Sequence, residues 1–77
     1  MSVLAEVRRL VAEACAVDPA TISGETRLAG VGLDSVRAVD LMVALEERFG
    51  AAISEDEAVR LGTVAELAAL VERKRSG

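Results

Sequence analysis

Gly32-Leu33-Asp34-Ser35-Val36-Arg37-Ala38-Val39-Asp40-Leu41-Met42-Val43-Ala44-Leu45-Glu46-Glu47-Arg48-Phe49-Gly50 is the stretch from which the rest of the chain is read. It contains one amphipathic helix together with its start and stop signals. Asp34 stands just before the first helical position, where a carboxylate accepts free backbone N–H groups of the opening turn. Gly50 tolerates the left-handed conformation wanted at a helix C-terminus. The spacing predicts a helix over 35–49. On a helical wheel Ala38, Leu41, Met42, Leu45 and Phe49 fall within about 100° of arc, enough for a buried face. A second stripe, Val36, Asp40, Val43 and Glu47, starts next to Ser35 and alternates apolar with acidic residues. It suits a partner surface with small apolar pockets rimmed by basic groups; packing of the two valines under a loop or a neighbouring helix is the competing reading.

Working outward, residues 3–15 place Val3, Leu4, Val7, Leu10, Val11 and Ala14 at helical spacing, with Glu6, Arg8, Arg9 and Glu13 off that stripe. Asp18-Pro19 stops this first helix, because the residue before proline is pushed out of the helical region. From Val17 to about Asp34 no periodicity is evident, yet Ile22, Leu28, Val31 and Leu33 are suited to pin such a loop to a bundle; long loops in small domains are often functional. Ser54-x-x-Glu57 has the spacing of a capping box and predicts a short third helix reaching Leu61, with Gly62 at its end. Thr63-x-x-Glu66 repeats the signal for a fourth helix through Val64, Leu67, Leu70 and Val71, fraying in Arg73-Lys74-Arg75. The expected fold is all-α: a four-helix bundle with a long loop between helices 1 and 2 and a short third helix, the least stable of the four alone.

The chain has 77 residues, 52% of them apolar, carried almost wholly by Ala, Val and Leu, with Phe49 the single aromatic. A single domain of this size buries about 60% of its unfolded surface, so nearly every large apolar side chain is needed in the core. Net charge is −4 and unevenly spread: residues 34–57 hold seven acids against Arg37 and Arg48, whereas 58–77 carry a net +2. That distribution argues against nucleic acid, which needs a basic footprint, and favours partners bringing Lys or Arg, although a solvated helical surface is also charged. No apolar run of about 18 residues appears and the first residues lack the features of a secretory signal, so a cytoplasmic protein with no membrane role is expected. Cys15 is alone, which excludes an internal disulfide, and it reads as a small buried hydrophobe. Glu55-Asp56-Glu57 lacks the alternating acids and central glycine of a calcium loop and reads as a solvated helix start. No metal site is expected.

Ser35 has no means of acting as a nucleophile unaided. A hydroxyl attacks only when a neighbouring base takes its proton or its pKa is lowered, and the chain contains no histidine. Asp34, just before a helix start, serves better as a cap than as a base. No catalytic residue is therefore expected, and any chemistry at Ser35 must be done by another protein.

Taken together, Gly32-Leu33-Asp34-Ser35-Val36, Ala38-Val39-Asp40-Leu41, Leu45-Glu46-Glu47-Arg48-Phe49-Gly50, Ile53-Ser54 and Thr63-Val64-Ala65-Glu66-Leu67 resemble the acyl carrier protein family, most clearly from Leu28 to Val71. The resemblance implies a single carrier domain over 1–77, expected to act as a monomer; Met1 and the lack of a flanking linker suggest a freestanding protein, and an excised domain with a new start codon is the alternative. The resemblance also implies 4′-phosphopantetheine on Ser35, with Asp34 as motif neighbour, donated from coenzyme A by a phosphopantetheinyl transferase with magnesium. Acyl groups would ride as thioesters on the arm and be passed among a ketosynthase, an acyltransferase or other acyl-processing enzymes. It further implies that Asp40 and Glu47 dock basic partner patches, with Val36 and Val43 as apolar contacts. Arg37 departs from the acidic residue usual in fatty acid carriers and should repel a generic basic partner. Together with the polyketide-like Ala38-Val39-Asp40-Leu41, it points to a secondary-metabolite pathway more than to fatty acid synthesis, which stays an alternative because the Leu45-Glu46-Glu47-Arg48-Phe49 ending occurs in discrete carriers generally. Peptidyl or aminoacyl carriers share the fold, though more often with Gly-Gly-x-Ser at the modified serine. An unmodified helical interaction module is the alternative of a different class.

Overall fold

The computed structural model describes residues 2–76, apart from the side chains of Glu55, Val59 and Ser76. Four helices, α1 (Val3–Cys15), α2 (Ser35–Phe49), α3 (Glu55–Arg60) and α4 (Val64–Ser76), enclose one hydrophobic core. Each start is explained by a local cap. Ser2 Oγ accepts Ala5 N–H, Asp34 accepts Arg37 N–H, and Ser54 with Glu57 closes a full capping box, 3.1 Å in both directions. At α4, Thr63 Oγ1 accepts Glu66 N–H while Glu66 Oε1 takes the N–H groups of Gly62 and Thr63. α2 ends at Gly50, whose φ of +68° favours a residue without Cβ. α1 ends differently: Ala16 is the one non-glycine residue with positive φ among those described.

α1 packs against α4 and α2, and α3 against α2. Ala38, Leu41 and Leu45 of α2 are buried, with Met42 and Phe49 partly so, as the wheel predicts. Val64, Leu67, Leu70 and Val71 of α4 are also buried. In α1 the buried arc lies slightly to one side of the expected stripe: Val7, Val11, Ala12 and Cys15 are inside, whereas Leu4 is exposed. Burial pushes the Cys15 thiol up, as befits a core side chain.

One expectation is met and extended, and one needs correction. The long α1–α2 connection is pinned to the bundle as expected and carries local structure of its own. It forms 3-10 turns at Pro19–Thr21 and Ala29–Val31, with Ile22 and Leu28 buried and Val31 and Leu33 packed on the core. Arg27 and Thr63 form an isolated antiparallel bridge, and Gly24, Thr26 and Gly62 exchange backbone bonds across the same seam: Ala65 N–H to Gly24 O at 2.8 Å, Val64 N–H to Thr26 O and Leu28 N–H to Gly62 O at 3.0 Å. Two otherwise orphan donors of α4 are thereby satisfied by the loop. The correction concerns α4, which does not stop short of its basic tail. It runs through Arg73-Lys74-Arg75 because Lys74 Nζ pairs with Glu57 at 3.0 Å and Arg75 lies 5.9 Å from the centre of the Phe49 ring. The part of the acidic α3 start that rests on the Glu55 side chain lies outside the described residues.

Candidate functional site

The loop reaches α2 through Gly32, whose φ of +86° turns the chain toward Leu33 and Asp34. Leu33 packs on the core and anchors this turn. Asp34 is extended, and its Oδ1 accepts Arg37 N–H at 2.8 Å, so the helix cap is a carboxylate rather than the serine. Ser35 is consequently the first helical residue. It is exposed, and among the described residues none hydrogen-bonds its hydroxyl. A group attached there stands at a helix N-terminus, where the dipole favours negative charge. Among the described residues none hydrogen-bonds the hydroxyl to draw off its proton, and the geometry offers it as a point of attachment.

Beside Ser35 is a shallow open depression lined by Ser35, Val36, Val39 and Asp40. Val36 is 72% exposed and Val43 52%, so neither packs beneath the loop or a neighbouring helix. Asp40 and Glu47 are exposed on the same stripe. Val39, 44% exposed, belongs to this surface and was in neither sequence stripe. Its place on the wheel, next to Val43 and between the two arcs, is the signal that would have found it. Arg37 faces the other way: half-buried, it donates from Nη1 to the Cys15 carbonyl at 3.0 Å.

The remaining charged contacts hold the bundle. The Arg48 guanidinium bonds Glu6 across α1 and α2 and keeps that carboxyl below its usual range. The Ser54 backbone N–H, followed by Lys74, does the same for Glu57. Among the described residues no group of His, Cys, Asp and Glu is placed to hold a metal ion, and no helix is long and apolar enough to cross a membrane.

The exposed hydroxyl, with a capping neighbour that leaves it unengaged, fits a covalently attached phosphate-linked arm. The family model for the phosphopantetheine attachment site matches residues 5–71. The chain is 35% identical over 74 residues to an acyl carrier protein of Campylobacter curvus (strain 525.92), covering 95% of this chain and 96% of that one. It is 36% identical over 63 residues to the chloroplastic acyl carrier protein 1 of Casuarina glauca, covering 78% of this chain but only 46% of the longer plant protein. A solved structure, a free-standing peptidyl carrier protein from an uncharacterized Acinetobacter baumannii secondary metabolic pathway, superposes with a TM-score of 0.78 at 30% identity, over 91% of this chain and 89% of that one. Proteins of this family use 4′-phosphopantetheine as their prosthetic group and are in general carriers rather than catalysts. By sequence and by fold, this chain belongs to the phosphopantetheine-binding family of acyl and peptidyl carrier proteins.

Proposed function

We propose that Ser35 bears the 4′-phosphopantetheine arm and that the chain carries acyl intermediates for a secondary-metabolite synthase, of polyketide or related type. The observation that carries this reading is the exposed Ser35 hydroxyl at the first position of α2, left without a protein partner among the described residues because Asp34 takes the cap. When bound, the arm supplies a thiol that holds cargo as a thioester. Ser35 offers the oxygen, the transferase brings the base and magnesium that the transfer from coenzyme A requires, and the bundle keeps the attachment point rigid. Val36, Val39 and Val43 offer apolar contact, while Asp40 and Glu47 attract the basic rim of a ketosynthase or acyltransferase in the cytoplasm. The carrier works as a monomer.

Co-expression with a broad-specificity phosphopantetheinyl transferase, followed by intact mass measurement, tests the central claim. A gain of one phosphopantetheine in the wild type and none in Ser35→Ala is expected; a wild type left unmodified by several transferases rejects it in favour of an unmodified interaction module. Charge reversal at Asp40 or Glu47 should raise the KM of a cognate ketosynthase without unfolding the bundle. The Acinetobacter structure gives a peptidyl reading specific support. Loading of the modified chain by an adenylating enzyme rather than by an acyltransferase would select it.

A further inference from the structure

Arg37 is two residues beyond Ser35, yet its side chain serves the far end of another helix. Nη1 donates to the carbonyl of Cys15, the last residue of α1, at 3.0 Å. α1 has no basic residue in its own last turn, and its cap, Ala16, sits at φ +58° in the left-handed region. Carbonyls at a helix C-terminus lack intrahelical donors and attract cations, and Arg37 supplies both donor and charge from α2. The same residue's backbone N–H is the group that Asp34 caps. Its Nη1 also lies 3.8 Å from the point where a Cβ on Gly32 would stand, so the guanidinium packs over the turn that delivers the serine. Three segments therefore meet on one side chain: the end of α1, the turn at Gly32 and the first turn of α2.

We infer that Arg37 is a positioning residue for Ser35: by strapping the α2 N-terminus to the α1 C-terminus it holds the serine-bearing turn in the orientation a modifying enzyme meets. Residues i and i+2 point to different faces of a helix, so Arg37 acts on the hydroxyl through the backbone and not by contact. The guanidinium is thereby engaged inside the molecule, and its positive charge is displaced from the stripe of Val36, Asp40, Val43 and Glu47. The inference rests on Ser35 being the attachment point.

The test compares wild type, Arg37→Met, which keeps the stem without the donor, and Arg37→Lys, which restores a charged donor. Transfer of phosphopantetheine is followed under steady-state conditions, and amide hydrogen exchange is measured on the unmodified chain. A positioning role predicts that Arg37→Met lowers kcat about tenfold with KM nearly unchanged, and that Arg37→Lys recovers most of the loss. Amides of Val17 and of Val36–Ala38 should exchange faster in Arg37→Met, while those of Leu67 and Val71 hold. A lower KM at unchanged kcat would instead make Arg37 a surface charge met by the partner and overturn the inference, as would unaltered exchange at the α2 start. If Arg37→Met does not fold, Arg37→Leu, which also lacks a donor, takes its place with the same outcomes. Should the wild type accept no arm, the carrier reading fails and the positioning role with it; altered exchange would still separate that failure from the absence of the strap.

Discussion

The starts of α2 and α3 place the same residue type one position apart. Ser54 is itself the cap of α3: its hydroxyl accepts Glu57 N–H and its own N–H is taken by the Glu57 carboxylate. Ser35 stands one residue further in, because Asp34 occupies the cap of α2. One serine is consumed by the fold and the other is released from it. What leaves the Ser35 hydroxyl exposed and unengaged is thus not the serine but the residue before it, which meets the backbone's need for an acceptor. The surroundings differ in the same sense: Ser54 adjoins a helix start tied to α4 through Lys74, whereas Ser35 opens onto exposed Val36, Val39 and Asp40.

The largest effect expected from breaking this contrast is functional. Ser35→Ala should abolish phosphopantetheine attachment while leaving the melting temperature almost unchanged; Ser54→Ala should leave attachment intact. Mass spectrometry and thermal denaturation on the two variants test the crossed pattern, and a destabilised Ser35→Ala would show that its hydroxyl has a structural task. Next in size is the cap itself. Asp34→Ala should cost about 1 kcal/mol, a loss of about 4–8 °C in Tm for a domain of this size, whereas Asp34→Asn, which still accepts the Arg37 N–H, should retain most of the stability. A slower transfer to Ser35 in the alanine variant alone would tie presentation of the hydroxyl to capping.

Ser54→Ala should cost at most a similar amount, about 0.5–1 kcal/mol, and its damage should be confined to α3, read as faster amide exchange there. Smallest is the pH response. Glu57 has its pKa lowered, chiefly by the Ser54 backbone N–H and then by Lys74, so its contribution is complete above the unfolded glutamate range. It is lost as pH falls through the lower folded-state value. Exchange at α3 should accelerate in acid by more in the wild type than in Glu57→Gln; equal acid sensitivity would remove Glu57 as the cause.

Much of this was legible in the residues because it is local. The limits of α2 follow from Asp34 and Gly50, and the starts of α3 and α4 from Ser54-x-x-Glu57 and Thr63-x-x-Glu66, all through bonds between residues no more than four apart. The inward face of α2 follows from periodicity alone. The residues alone left a choice at the start of α2, since Asp34 and Ser35 are both good caps, and the bond from Arg37 N–H to Asp34 decided it for the aspartate. Periodicity does not extend to segments without a repeat, and there the expectations fell short: the loop's 3-10 turns and its seam with Thr63, the slightly different buried arc of α1, and the ordered end of α4.

By itself, the sequence determined where three of the helices begin and which face of α2 turns inward, because caps and periodicity are properties of near neighbours. Only the tertiary structure decided that Val36, Val39 and Val43 stay exposed, that Arg37 turns to Cys15, and that Lys74 and Arg75 fasten α4 to Glu57 and Phe49. Those contacts join residues 17 to 26 positions apart or depend on what a neighbouring helix leaves uncovered. No local spacing encodes them, so they exist only once the four helices have packed.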